Sequence, residues 1–265
     1  MQKLLDIVYS SADPAVCKLD VFLPDNAPNG RAILFIHGGG WQNGNKAAWH
    51  GPMEYCCARG YVCGSATYHF APAYKFPRQV EDVRTAMAFF KDRAGDYGFD
   101  ARRVATWGSS AGGHLAAMLA TIADEDDLGV TPQMNRRDTR PAAAVCYCTV
   151  MTCHPYEAPN ENLPKMFRDF LGEAEVQDPA VLRRASPLDR VRGGEPPFFM
   201  IVGDVDKTTP VAQHEEMRAR LQATGGRAEL VVLPGAGHGF GYGVKTEHQQ
   251  RAVQEAERFL ASALA

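Results

Sequence analysis

Gly108-Ser109-Ser110-Ala111-Gly112 matches the pattern G-x-S-x-G. Before it, Val104 to Trp107 is short, apolar and partly β-branched, and reads as a buried strand. After it, an alanine- and leucine-rich stretch as far as Ala123 reads as a helix. A sharp strand-to-helix turn crowds its own backbone, so glycine is favoured two residues to either side of the central serine. Such a turn leaves the Ser110 hydroxyl exposed above the sheet, beside a helix N-terminus that favours developing negative charge. An ordinary Gly/Ser turn capping a helix would use the same residues. A nucleophilic Ser110 therefore requires a base, an acid and an oxyanion site from elsewhere in the chain.

His37-Gly38-Gly39-Gly40-Trp41 follows the continuous apolar run Ala32–Ile36. Glycines after a strand let backbone N–H groups turn into a cavity, so Gly38 and Gly39, with the Ala111 N–H, are the expected oxyanion donors. His37 is expected to brace this loop. Gly203-Asp204-Val205-Asp206 follows the apolar run Phe198–Val202 and offers two carboxylates. Asp204 can cap a turn, whereas Asp206 lies deeper in the loop just before a helix, and spacing alone leaves both open. His238 stands between glycines directly after Ala228–Leu233, where an imidazole can reach across to Ser110. His114 is one helical turn past Ser110 and is expected to point away from it. His50, His69, His154, His214 and His248 read as surface, capping or pocket-wall residues. The order serine, aspartate, histidine is the one this kind of elbow uses. In that arrangement the histidine takes the serine proton, the aspartate orients the imidazole, and neither metal nor cofactor is required.

The elements that must hold these loops are strands alternating with helices. Asp6–Ser10 and Cys17–Leu23 read as an antiparallel pair joined by the turn Ser11-Ala12-Asp13-Pro14. Ala32–Ile36, Tyr61–Tyr68, Val104–Trp107, Ala142–Tyr147, Phe198–Val202 and Ala228–Leu233 read as buried strands. Helices are expected over 47–59, 76–93, 111–123, 164–171, 210–223 and 246–264. This pattern predicts an α/β fold with a mostly parallel sheet of about eight strands, covered by helices on both faces. Residues 1–265 read as one domain. The proline-rich stretch 151–196 is a small cap or pocket-wall insertion past a strand's carboxyl end, where ligand crevices form.

The chain of 265 residues is 45% hydrophobic and 22% charged, within the ordinary globular range. Lys and Arg number 28 against 31 Asp and Glu with no basic tract, which excludes the electrostatics of a nucleic-acid binder. No window approaches the roughly 18 apolar residues of a membrane span. The N-terminal apolar run is too short for a signal peptide, so a cytoplasmic location is expected. The seven cysteines have neither disulfide-framework nor metal-ligand spacing and read as reduced thiols.

Taken together, His37-Gly-Gly-Gly-Trp41, Tyr68-His-Phe-Ala-Pro72, Tyr97-Gly-Phe-Asp100, Trp107-Gly-Ser-Ser-Ala-Gly-Gly-His-Leu115, Gly203–Asp206 and Leu233-Pro-Gly-Ala-Gly-His238 closely resemble the α/β-hydrolase superfamily. Within it the chain looks like His-Gly-Gly-Gly esterases, shared by hormone-sensitive-lipase-like and acetyl-xylan/feruloyl esterase-like proteins. The resemblance implies a catalytic set of Ser110, Asp206 and His238, because the family acid lies three residues after a glycine and shortly before a proline. Relatives often carry histidine before Gly203, where this chain has Val202, and a basic residue where it has His69. The resemblance implies a serine carboxylesterase for short acetyl or aromatic acyl esters, with esters on carbohydrate among the expected substrates. An arylformamidase or aminopeptidase-like amide hydrolase and a non-enzymatic binder are the competing expectations. By position, Trp41, Tyr68, His69, Met151, His154 and Phe240 are candidate pocket residues, and a homo-oligomer is left open.

Overall fold

The computed structural model describes residues 1–134 and 136–265. Eight strands form one sheet: β1 (Gln2–Val8), β2 (Lys18–Leu23), β3 (Gly30–Ile36), β4 (Val62–Ala66), β5 (Phe99–Ser109), β6 (Ala143–Tyr147), β7 (Phe198–Gly203) and β8 (Ala228–Leu233). Their order is β1-β2-β4-β3-β5-β6-β7-β8. β2 runs antiparallel to both β1 and β4, while every pairing from β4 through β8 is parallel. All functional loops therefore leave the sheet from the same, carboxyl end.

Alternation along β3 shows why helices cover both faces. Leu34 and Ile36 join the apolar cluster that includes Val80, Val83, Met87 and Leu115, while Ile33 and Phe35 join the one containing Met53, Trp107, Phe259 and Leu260. The first face is covered by α2 (Arg78–Asp92) and α4 (Ala111–Thr121), the second by α1 (His50–Cys57) and α9 (Glu247–Ala263). A strand with no polar face is stable only when both sides are covered in this way. α3 (Ala94–Tyr97) is a single turn leading into β5, and α8 (Val211–Ala223) packs Met217 and Leu221 against β6 and β7.

Several boundaries differ from the sequence reading. β1 starts at Gln2 instead of Asp6, because Gln2 to Leu4 pair with β2 and Asp6 forms a bulge at φ 55°. The Asp6 N–H donates to Asp20 Oδ1 at 2.9 Å across that bulge. β5 begins at Phe99, since its polar first half pairs at the Gly30 end of β3. The helix expected over 47–59 is a 3₁₀ turn, Lys46–Trp49, followed by α1, whose Pro52 sits in the first turn where no N–H is needed.

In the stretch 151–196, the chain forms α5 (Leu163–Leu171), α6 (Pro179–Ala185) and α7 (Pro187–Arg190). Leu163, Phe167, Phe170 and Leu182 sink into the first apolar face. This anchors α5 over the carboxyl end of β3.

Candidate active site

Ser110 occupies the turn between β5 and α4 with φ 55° and ψ −121°, a conformation rare for a residue bearing a side chain. Close approach explains its flanking glycines. A Cβ at residue 108 would lie 2.1 Å from the Gly112 carbonyl oxygen, and one at residue 112 would lie 2.1 Å from the Ile36 oxygen. The turn is thus wedged against the end of β3, and the Ser110 N–H donates to Tyr147 O at 2.8 Å.

His238 Nε2 lies 2.9 Å from Ser110 Oγ, and His238 Nδ1 lies 2.8 Å from Asp206 Oδ2. Asp206 is fixed from its own loop. The Thr208 and Thr209 N–H groups donate to Oδ1 at 2.7 and 2.9 Å, and the Thr209 hydroxyl donates to Oδ2 at 2.9 Å. Burial acts to raise the Asp206 pKa, but the hydrogen bond and charge of His238, with those backbone donors, hold it well below the usual carboxylate range. Asp204 does a different job: its Oδ1 accepts the Gly235 N–H at 2.7 Å and pins the turn leading to His238. The geometry therefore separates the two carboxylates that spacing left open.

One expected oxyanion donor is already engaged. The Gly38 N–H donates to Tyr242 Oη at 2.5 Å. Gly39 and Gly40 line the cavity at Ser110, and among the described residues no protein acceptor meets the N–H of Gly39, Gly40 or Ala111. The available backbone donors are therefore Gly39, Gly40 and Ala111, with Gly38 committed elsewhere. His37 stays within the loop, its Nδ1–H donating to Gly38 O at 2.9 Å while its ring stacks on Tyr68.

The cavity at Ser110 has a volume of about 210 Å³ and is closed by Asn160, Met166, Thr208, His238 and Tyr242. None of the six expected pocket residues lines it. Trp41 is buried, stacks on Phe170 at 4.2 Å and donates from Nε1 to His114 Nδ1 at 3.2 Å. Tyr68 donates its hydroxyl to His37 O, and His69 is held between Asp82 and Asp13 at 2.8 and 3.1 Å. Both face a separate cavity of about 440 Å³ beside Lys18 and Tyr74. Met151 belongs to the apolar cluster under α8, His154 pairs with Asp189 at 2.7 Å, and Phe240 packs on Tyr147. Position after a strand placed these side chains near the site, but their apolar or ion-pair partners turn them away. Met166 and Tyr242, missed in the sequence, carried one available signal each: α5 is amphipathic, and Tyr242 is four residues past His238.

His114 points away from Ser110, its Nε2–H donating to Ala185 O at 2.8 Å. Among the described residues, two groups bring metal-ligand donor types within 4.8 Å, Cys17/His69/Asp82 and Cys148/Asp206/His238. In both, the imidazole is already hydrogen-bonded to the carboxylate. Among the described residues no helix is long and apolar enough to cross a membrane.

The sheet order, the strained serine turn and the loops leaving one end of the sheet define an α/β-hydrolase fold. Residues 19–221 match the BD-FAE family, and the chain belongs to that family. It is 34% identical to esterase LipC of Mycobacterium tuberculosis over 86% of its own length and 58% of that protein. It is 24% identical to an acetylxylan esterase of Xylanibacter ruminicola over 95% of its length and 49% of that protein. The chain thus spans about half to three-fifths of these relatives. A propionate-bound thermophilic esterase from the Planctomycetes species Thermogutta terrifontis superposes with a TM-score of 0.80 at 27% identity, covering 98% of this chain and 93% of that one.

Proposed function

We propose that this protein is a serine carboxylesterase that hydrolyses short-chain acyl esters through an acyl-enzyme. The hydrogen-bonded chain from Ser110 Oγ through His238 to Asp206, at 2.9 and 2.8 Å, carries this reading. His238 Nε2 accepts the Ser110 proton as Oγ bonds to the ester carbonyl carbon, and Asp206 stabilises the imidazolium so formed. The carbonyl electrons move onto oxygen, where the Gly39 and Ala111 N–H groups receive the charge at the α4 N-terminus. His238 then protonates the departing alkoxide. It next takes a proton from water as the water oxygen bonds to the acyl carbon; the bond from that carbon to Ser110 Oγ then breaks, the carboxylic acid leaves, and His238 returns the proton to Oγ.

The small cavity and Met166 over Gly40 favour a short acyl group. The esterase names of the relatives and the propionate held by the Thermogutta enzyme agree with it. The test is initial rates on 4-nitrophenyl acetate, butyrate and octanoate, acetylated xylo-oligosaccharide, aryl formamides and amino-acid anilides. Fluorophosphonate labelling should be mapped by mass spectrometry in parallel. Fastest turnover of the acetate or butyrate ester and a label on Ser110 are expected. A faster formamide or anilide rate, or a folded protein that never labels, overturns the proposal.

A further inference from the structure

Resting on the reading of Ser110 as the nucleophile, we propose that the Tyr242 hydroxyl is a catalytic donor to the oxyanion, in the place expected of the Gly38 N–H. A tyrosine hydroxyl has one proton to give and two lone pairs to accept with. One lone pair accepts the Gly38 N–H at 2.5 Å, so the proton remains to be donated. The Ser109 hydroxyl, buried alongside with no other partner, is placed to donate to the second lone pair, which leaves the tyrosine proton for the substrate.

The position is that of a donor to the reacting carbonyl. Tyr242 lines the cavity with Gly39, Ser110 and His238. A Cβ built on Gly38 would lie 2.6 Å from Tyr242 Oη and 3.1 Å from Ser110 Cβ, so hydroxyl and nucleophile flank one glycine. The ring is held against Trp49, with centroids 4.8 Å apart. Burial raises the phenol pKa and keeps the group protonated. Accepting from a backbone N–H polarises the O–H bond and strengthens it as a donor. When Ser110 Oγ bonds to the carbonyl carbon and its proton moves to His238, the new charge on oxygen receives hydrogen bonds from Gly39, Ala111 and Tyr242. No proton leaves the tyrosine in this step.

Tyr242→Phe keeps the ring against Trp49 and removes the hydroxyl. On 4-nitrophenyl acetate, kcat should fall about 10²-fold with KM changed less than about twofold, as for loss of one oxyanion donor. Fluorophosphonate labelling should slow in parallel, while the melting temperature and near-ultraviolet circular dichroism stay native. A second variant separates a donor from a brace. 3-Fluorotyrosine at position 242 is a stronger donor and a weaker acceptor, so kcat should hold or rise if the proton is used. A fall in both variants means that the tyrosine only holds Gly38, which overturns the proposal. So does Tyr242→Phe with kcat within about threefold of wild type, or a change confined to KM. If the wild-type protein neither hydrolyses esters nor labels, the reading of Ser110 falls, and this one with it.

Discussion

Met166 closes over Gly40: a Cβ at residue 40 would stand 2.4 Å from Met166 Cε. The thioether comes from α5, and it walls the cavity at Ser110 together with Asn160 and Thr208. Leu163, Pro164 and Phe167 of the same helix line a second, largely apolar cavity of about 170 Å³. Met166→Ala should lengthen the acyl chain accepted. The ratio of kcat/KM for 4-nitrophenyl hexanoate over acetate is expected to rise about tenfold, roughly the value of one or two buried methylenes. An unchanged ratio would remove Met166 as the wall that selects acyl length.

Ser110→Ala should lower kcat by roughly 10⁴- to 10⁶-fold, as in comparable knockouts. Asp206→Asn should cost about 10³- to 10⁴-fold, because an amide in that web of donors favours the wrong imidazole tautomer. Asp204→Asn should stay within about threefold, since its amide oxygen can still accept the Gly235 N–H. Steady-state rates of the three variants on one ester check the ranking, and an Asp204 variant weaker than the Asp206 variant would reverse the assignment.

Gly112→Ala places a Cβ 2.1 Å from Ile36 O and 2.4 Å from His37 O. Both obstacles are backbone, so the turn or the end of β3 must move. Destabilisation above about 3 kcal/mol is expected, which corresponds to a melting temperature lowered by roughly 6–12 °C. A thermal melt followed by circular dichroism measures this directly.

Stability should fall steeply in mild acid. Burial pushes His37, His114 and His214 each down to about 4. In the unfolded chain each titrates near about 6.5, so between these values the unfolded state binds protons that the folded state refuses. Their stabilisation is complete above pH 6.5 and is lost as pH falls toward 4, at up to about 4 kcal/mol per pH unit for three protons. His69 has the opposite sign. Its pKa is raised by Asp82 and Asp13 against the cost of burial, so its contribution is present in acid and lost as pH rises. Urea midpoints measured from pH 7 to pH 4.5 should drop monotonically.

The sequence revealed Ser110 and His238 for a geometric reason. Each sits in a glycine-flanked loop directly after an apolar strand, and strand plus glycine is visible as a pattern. The central strands were legible because Ala32–Ile36, β6 and β7 are buried on both faces and contain no charged residue to break the run. The choice between Asp204 and Asp206 was not legible in spacing, since it depends on Thr208 and Thr209 donors and on a turn 31 residues away at Gly235. The cavity wall was hidden for the same reason. Trp41 and Met151 look like pocket residues in one dimension, yet Phe170 and the apolar cluster under α8 claim them. Gly38 shows the limit most directly: nothing near residue 38 foretells a hydroxyl 204 residues away.

All seven cysteines are buried and unpaired. Burial pushes the Cys17 thiol up to about 11 and Cys146 up to about 12, with Cys148 and Cys153 raised further. Thiolate is the reactive form, so these side chains are chemically silent while the chain is folded and become reactive once it opens. Brief alkylation pulses would therefore register opening strand by strand: Cys63, its thiol also pushed up by burial, reports β4, and Cys146 reports β6. The native protein carries its own unfolding probes, placed where no label needs to be engineered.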